Sequence, residues 1–254
     1  MIKVQGVEKA FGANRVLRGV DLEIADGETL TIMGGSGTGK SVLLKNIVGL
    51  IKPDKGRIFV DDKEISKLEG NELFDVQKKF GYLFQGGALF DSLTVGENIA
   101  FGLNNLRHDL YAKADAVISE KLQLVGLKPE IASLKPAELS GGMKKRVALA
   151  RAIAYEPQYI LYDEPTTGLD PIMSDVINEL IIGLQKKLGV TSIVVTHDMN
   201  SAYKISTRMA MLYHGKIVAV GTPDQIRGTK DPLVKQFITG SSVGPIQMQV
   251  RAVE

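Results

Sequence analysis

The 254-residue chain contains no cysteine and no tryptophan. Without thiols it has no disulfides and no thiol chemistry, which suits a cytosolic protein. An excess of one charge is missing too: 31 Lys and Arg stand against 29 Asp and Glu, for a net +2. That balance offers no electrostatic case for nucleic acid as the main ligand. No apolar run approaches the roughly 20 residues needed to span a bilayer, so any membrane role must go through a partner. Met1-Ile2-Lys3-Val4 reads as a strand rather than a signal peptide. No internal repeat or low-complexity tract is visible. What remains is ordinary globular composition, 44% hydrophobic and 24% charged, in a chain long enough to bury a sizeable core.

One stretch carries specific chemistry. Gly34-Gly35-Ser36-Gly37-Thr38-Gly39-Lys40-Ser41 fits the phosphate-loop pattern G-x-x-x-x-G-K-[ST]. Phosphate oxygens need many donors in a small space, and glycines let backbone N–H groups approach them. Lys40 places a charge near the outer phosphates, and the Ser41 hydroxyl can ligate Mg²⁺. Thr29 to Met33 before the loop is strand-like. Leu43, Leu44, Ile47, Val48 and Ile51 after it have helical spacing, with Pro53 expected to stop the helix. The helix turns its positive end to the anion.

The first sixty residues read as β-rich. Phe11 is either an exposed ring able to stack on adenine or a core side chain. Gly81 to Phe84 reads as a short strand ending at Gln85, and Gly86-Gly87 as a flexible joint. From about Val95 to Tyr155 the chain reads as mostly helical, a subdomain inserted into an α/β core. Ser140 is a good N-cap for a helix opening at Gly141-Gly142, although Met143 cannot complete a capping box. Lys144, Lys145, Arg146 and Arg151 count as positive charge on that helix. Its glycine-rich start is a second anion-ready end.

Two more strands end in reactive groups. Tyr159 to Tyr162 delivers Asp163 and Glu164 to a sheet edge, where Asp163 can hold Mg²⁺ and Glu164 can orient a water. Thr191 to Thr196 ends at His197. Gly168-Leu169-Asp170-Pro171 reads as a tight loop before a helix over Met173 to Leu188, capped by Gly189. Arg208 to Tyr213 and Lys216 to Val220 read as a hairpin turning at His214-Gly215, and Pro223 to Arg227 as a short helix.

In this order the motifs resemble the ATP-binding subunit of ABC transporters, over about Ile2 to Phe237. The resemblance implies an α/β P-loop NTPase fold with a parallel-sheet core, an N-terminal antiparallel β subdomain and the inserted helical subdomain at about 87–157. It implies a domain over 1–240 and a tail over 241–254. It implies ATP and Mg²⁺, the metal held by Ser41, Gln85 and Asp163, and ATP hydrolysis with Glu164, His197 and Lys40 as the reacting groups. Phe11 would stack on adenine, Gln85 would sense the γ-phosphate, and Asp170 would communicate across a homodimer. Ser140, Gly141 and Gly142 of one copy would close over the ATP of the other.

Leu139-Ser140-Gly141-Gly142-Met143, with Met where most members carry Gln, is similar to the lipid-transport branch that works with MCE-domain proteins. Gly87 to Val95, Asp231 to Phe237 and Gly244-Pro245 share that resemblance. It implies an integral-membrane permease, an MCE-domain lipid-binding partner, no nucleic acid, a place on the cytoplasmic face of the inner membrane and a dimer-bridging tail. An importer ATPase for a small solute shares the core motifs. A DNA-maintenance or ribosome-acting ATPase would bring a coiled coil or a second cassette, and a non-hydrolysing regulator conflicts with Lys40, Asp163, Glu164 and His197.

Overall fold

Alternating apolar residues make Ile2–Phe11 (β1) and Asn14–Ile24 (β2) an antiparallel pair, with Ile2 opposite Ile24 and Val4 opposite Leu22. Lys55–Val60 (β4) adds to the other edge of β1, and the two-residue Lys63–Glu64 (β5) completes a four-stranded sheet in the order β2-β1-β4-β5. The computed structural model describes residues 1–247, except the side chains of Asn105 and His108.

The second sheet has six strands. Thr29–Met33 (β3), Phe80–Leu83 (β6), Tyr159–Asp163 (β7), Thr191–Thr196 (β8) and Arg208–Tyr213 (β9) run parallel, and Lys216–Gly221 (β10) pairs antiparallel with β9. The order is β10-β9-β3-β8-β7-β6. Such strands are buried on both faces, which explains their continuous apolar runs. Tyr159 and Leu161 of β7 point into one core with Ile193 and Val195 of β8. Ile160, Tyr162 and Val194 point into the other. The first core lies under the N-terminal sheet and helix Lys40–Ile47 (α1).

Between β6 and β7 lie the short helices Val95–Ala100 (α3), Leu103–Leu106 (α4) and His108–Tyr111 (α5), then Ala114–Leu124 (α6) and the long Gly141–Ile153 (α7). Helix Gly70–Gln77 (α2) precedes β6. Pro171–Leu188 (α8) and Met199–Ile205 (α9) follow β7 and β8, and Pro223–Arg227 (α10) and Pro232–Thr239 (α11) close the described chain. Of the expected tail, 248–254 lies outside the described residues.

Two expectations shift. Helix α1 stops at Ile47, well before Pro53, because Gly49 turns the chain at the left-handed φ of +72. Helix α8 starts at Pro171 rather than Met173: Asp170 caps it, accepting from Ile172 and Met173 N–H at 3.0 Å each, and proline suits its first turn. Gly189 ends it in the left-handed conformation, as its position implied.

The parallel register aligns the strand ends. Met33 lies opposite Thr196, Asp163 opposite Val195, and Leu83 opposite Tyr162. Four segments therefore leave the sheet at one edge: the glycine loop, Gln85, Asp163-Glu164 and His197.

Candidate functional site

The glycine loop leaves β3 and enters α1 through Gly39, whose φ of +101 is closed to ordinary side chains. A Cβ there would also meet Val16 Cγ1 at 2.7 Å, and one at Gly34 would meet the Leu212 carbonyl at 2.5 Å. Thr38 closes the loop, its hydroxyl donating to the Gly35 carbonyl at 2.9 Å. The first turn of α1 leaves its N–H groups without helical partners and carries the positive end of the dipole. Lys40 is buried and folds over the loop, donating to the carbonyls of Gly34 at 2.9 Å and Gly35 at 3.0 Å.

The strand ends meet this loop. The Ser41 hydroxyl donates to Asp163 Oδ1 at 2.7 Å, and the Tyr82 hydroxyl donates to Oδ2 at 3.3 Å. Burial, reinforced by the Asp163 charge, pushes the Tyr82 phenol far above its ordinary range, so it remains a donor. Glu164 is buried between two partners: Lys40 Nζ lies 3.4 Å from Oε1 and His197 Nδ1 lies 2.9 Å from Oε2. Its backbone is left-handed at φ +49, and its N–H donates to the Val195 carbonyl at 2.9 Å. Ser41, Asp163 and the Gln85 side chain offer oxygen donors, a set that suits a hard cation keeping water and phosphate ligands.

Phe11, Lys40, Ser41, Gln85 and Glu164 line one cleft of about 410 Å³ with Ser36, Gly37 and Gly39 of the loop. Phe11 is 49% exposed, which decides between its two readings in favour of the open ring. Asp163 joins the cluster through Ser41, and His197 through Glu164.

Ser140, Gly141, Gly142 and Asp170 do not line that cleft. Ser140 caps α7, accepting from Met143 N–H at 3.3 Å, and Ser140 and Gly141 are exposed. Gly142 is buried against Met173 of α8, where a Cβ would come within 2.5 Å of Met173 Cε. The cap of α7 and the Asp170 cap of α8 are thus neighbours within one chain.

Sequence reasoning missed several contacts. Lys145 counted as helix charge, yet only 7% of it is exposed. Its ammonium meets the Gln85 carbonyl, and the Glu164 carbonyl at 3.3 Å. Burial lowers its pKa, opposed by the nearby Asp163 and Glu164 carboxylates. Arg151 likewise counted only as charge, and it donates to the carbonyls of Gly87 and Ala88 at 2.8 and 2.7 Å. Helical spacing held a signal for Lys145: it stands three residues after Gly142 and four before Leu149, both buried.

The ABC transporter family model matches residues 17–167. The chain is 40% identical over 247 residues to the "Probable ribonucleotide transport ATP-binding protein mkl" of Mycobacterium leprae, covering 97% of this chain and 71% of that protein. It is 39% identical over 252 residues to the "Intermembrane phospholipid transport system ATP-binding protein MlaF" of Haemophilus influenzae, covering 99% of this chain and 95% of that one. A solved dimer of the ATP-binding cassette MJ0796 in a post-hydrolysis state, bound to ADP and Pi, superposes with a TM-score of 0.78 at 34% identity, over 88% of this chain and 99% of that one. With this fold, this loop and these strand ends, the chain belongs to the ABC transporter family and is one of its ATP-binding, ATP-hydrolysing cassettes.

Proposed function

We propose that this cassette powers phospholipid transport through a membrane permease, with an MCE-domain protein as partner, and that it works as a head-to-tail homodimer. The observation that carries the dimer is the division of the site. Lys40, Ser41, Asp163, Glu164 and His197 meet at one sheet edge, while Ser140 and Gly141 stand exposed at a helix start outside that cleft. A second copy can bring its own Ser140-Gly141-Gly142 over the bound nucleotide, with Asp170 beside it at the junction. The solved relative that resembles this chain is likewise a dimer.

In this reading Phe11 stacks on adenine and the glycine loop wraps the phosphates. Ser41, Gln85 and Asp163 would hold Mg²⁺, which neutralises phosphate charge when bound. Glu164 orients the water for in-line attack, His197 contacts the γ-phosphate while holding Glu164, and Lys40 offsets charge in the transition state. Hydrolysis removes the contacts that hold two copies together, so the output is movement.

Beside Gln85 an apolar groove of about 380 Å³ is walled by Tyr82, Phe84, Phe90, Phe101 and Tyr155. Phe90 and Phe101 are 41% and 51% exposed and pack on each other at 4.5 Å between ring centroids. The groove suits an apolar segment of the permease, which would place the cassette at the cytoplasmic face of the inner membrane. Among the described residues, no helix is long and apolar enough to cross a membrane.

The phospholipid assignment draws on the MlaF relative, and the name of the M. leprae relative favours a second reading, ribonucleotide transport. Purifying the tagged chain with its permease from membranes and analysing bound small molecules by mass spectrometry separates them. Phospholipid with an MCE-domain protein is the expected result. A ribonucleotide, with no MCE-domain protein, would replace the first reading by the second.

A further inference from the structure

Lys145 lies inside α7, buried, where a charged side chain needs partners. Its ammonium bonds to two main-chain carbonyls from different segments, that of Gln85 just beyond β6 and that of Glu164 just beyond β7. Charge-assisted hydrogen bonds of this kind are the strong ones. Neither acceptor belongs to α7, and both sit at the edge of the sheet where the cleft lies.

Glu164 needs such holding. A left-handed backbone on a residue other than glycine is strained and persists only where neighbours over-determine it. The Glu164 N–H donates to Val195, and its carbonyl accepts from Thr167 N–H at 3.2 Å and from Lys145. Thr167 and Val195 are local to the strand ends. Lys145 alone among these three comes from the helix that begins at the exposed Ser140 and Gly141.

We propose that Lys145 is a positioning residue for ATP hydrolysis, tying α7 to the main chain of Glu164 and Gln85 so that the exposed start of α7 and the water-orienting carboxylate of the same copy move as one unit. The inference rests on the reading of Glu164 given above. Its consequence is a route between the two sites of a dimer. A nucleotide gripped by Ser140 lies in the neighbouring copy's cleft, whereas Lys145 holds the main-chain carbonyl of Glu164 in its own copy. The path along α7 from Ser140 to Lys145 is only about 7.5 Å at the helical rise.

The test compares the full chain with Lys145→Met, which keeps the reach and loses the donors, and with Lys145→Arg, which keeps donors. Four quantities are read: ATP affinity at equilibrium, kcat and KM, melting temperature, and amide exchange over residues 164–167 without nucleotide. For Lys145→Met, kcat should fall about tenfold or more, the scale of small misplacements of reacting groups. KM and affinity should stay within about twofold, and exchange at the Thr167 amide should quicken. Lys145→Arg should recover most of both. Should Lys145→Met fail to fold, Lys145→Leu, which also lacks donors, carries the same comparison.

Unchanged kcat overturns the proposal, whether or not exchange quickens. So does a parallel loss of affinity and melting temperature that Lys145→Arg leaves in place, since that marks a merely structural lysine. The exchange measurement needs no turnover. It therefore stands apart from the Glu164→Gln assay, in which near-normal hydrolysis would defeat the reading of Glu164 instead.

Discussion

The molecule has two glycine-rich helix starts, and they are built in opposite ways. At α1 the N-cap is Gly39, which has no side chain to offer, and the loop ahead of it is closed by partners from its own chain: Lys40 on Gly34 and Gly35, Ser41 on Asp163, Thr38 on Gly35. At α7 the N-cap is Ser140, which satisfies one N–H with its own hydroxyl and stands in the open. The first start is enclosed by strand ends that supply charge. The second stands open, and the buried Lys145 lies behind it. A helix terminus is enclosed when the fold brings opposing groups to it, and stays open when it does not.

Turnover gives the largest expected effect. Glu164→Gln removes the carboxylate between Lys40 and His197 and should lower kcat by about a hundredfold or more, the scale of a lost general base, while trapping an ATP-bound dimer. Turnover by the purified variant and its size in ATP together check this, and near-normal hydrolysis would break the contrast at the enclosed end. Ser140→Arg addresses the exposed end. It should leave ATP binding within about threefold of the parent protein, because Ser140 is outside the cleft, and abolish ATP-driven dimerisation. Undiminished dimerisation in size-exclusion chromatography would show that the α7 start is not a shared surface.

Stability sharpens the same contrast. Gly39→Ala should cost about 1–3 kcal/mol, from the positive φ and the 2.7 Å approach to Val16. Gly141→Ala should change stability by no more than about 0.5 kcal/mol, since a Cβ there meets nothing within 4 Å. Denaturant melts of the two variants check the pair, and equal losses would remove the distinction.

A modest, pH-dependent effect lies at the opposite end of β7 from Asp163. Asp61 there is pushed up by burial, but hydrogen bonds from Lys79 and Tyr159 hold it down to about 2, below the usual 3.8. A carboxyl depressed in the folded state contributes stability that is complete above about pH 4 and lost as pH falls through about 2. Its side chain is 34% exposed, so screening limits the contribution to about 1 kcal/mol. Asp61→Asn should therefore lower the melting temperature at pH 7, converge with the parent only as pH falls to about 2, and leave kcat unchanged. A shifted kcat would tie this end of the sheet to the chemistry.

Much of this was legible where neighbours in sequence carry the physics. Helix α10 is announced by Thr222, which caps it with Gln225 in a reciprocal box. Strands β7 and β8 are announced by unbroken apolar runs, and the glycine loop by its spacing. The end of α1 falls just before Gly49 rather than at Pro53 because two breakers follow the helix in sequence and the nearer one turns the chain in the left-handed conformation. Lys145 and Arg151 counted only as positive charge on the helix because nothing local says that carbonyls from Gln85, Gly87 and Glu164 will lie against α7.

From the amino-acid order alone come the residue types that ATP chemistry requires, and the strands and helices that carry them, because spacing and side-chain chemistry are local properties. Which of those residues meet is a matter of sheet register. Parallel pairing of β3, β8, β7 and β6 sets the glycine loop, Asp163-Glu164, His197 and Gln85 at one edge. The same packing leaves Phe11 open, buries Lys145 and turns Ser140 away from the cleft. Burial and long-range contact are properties of the packed chain as a whole, and no window of sequence contains them.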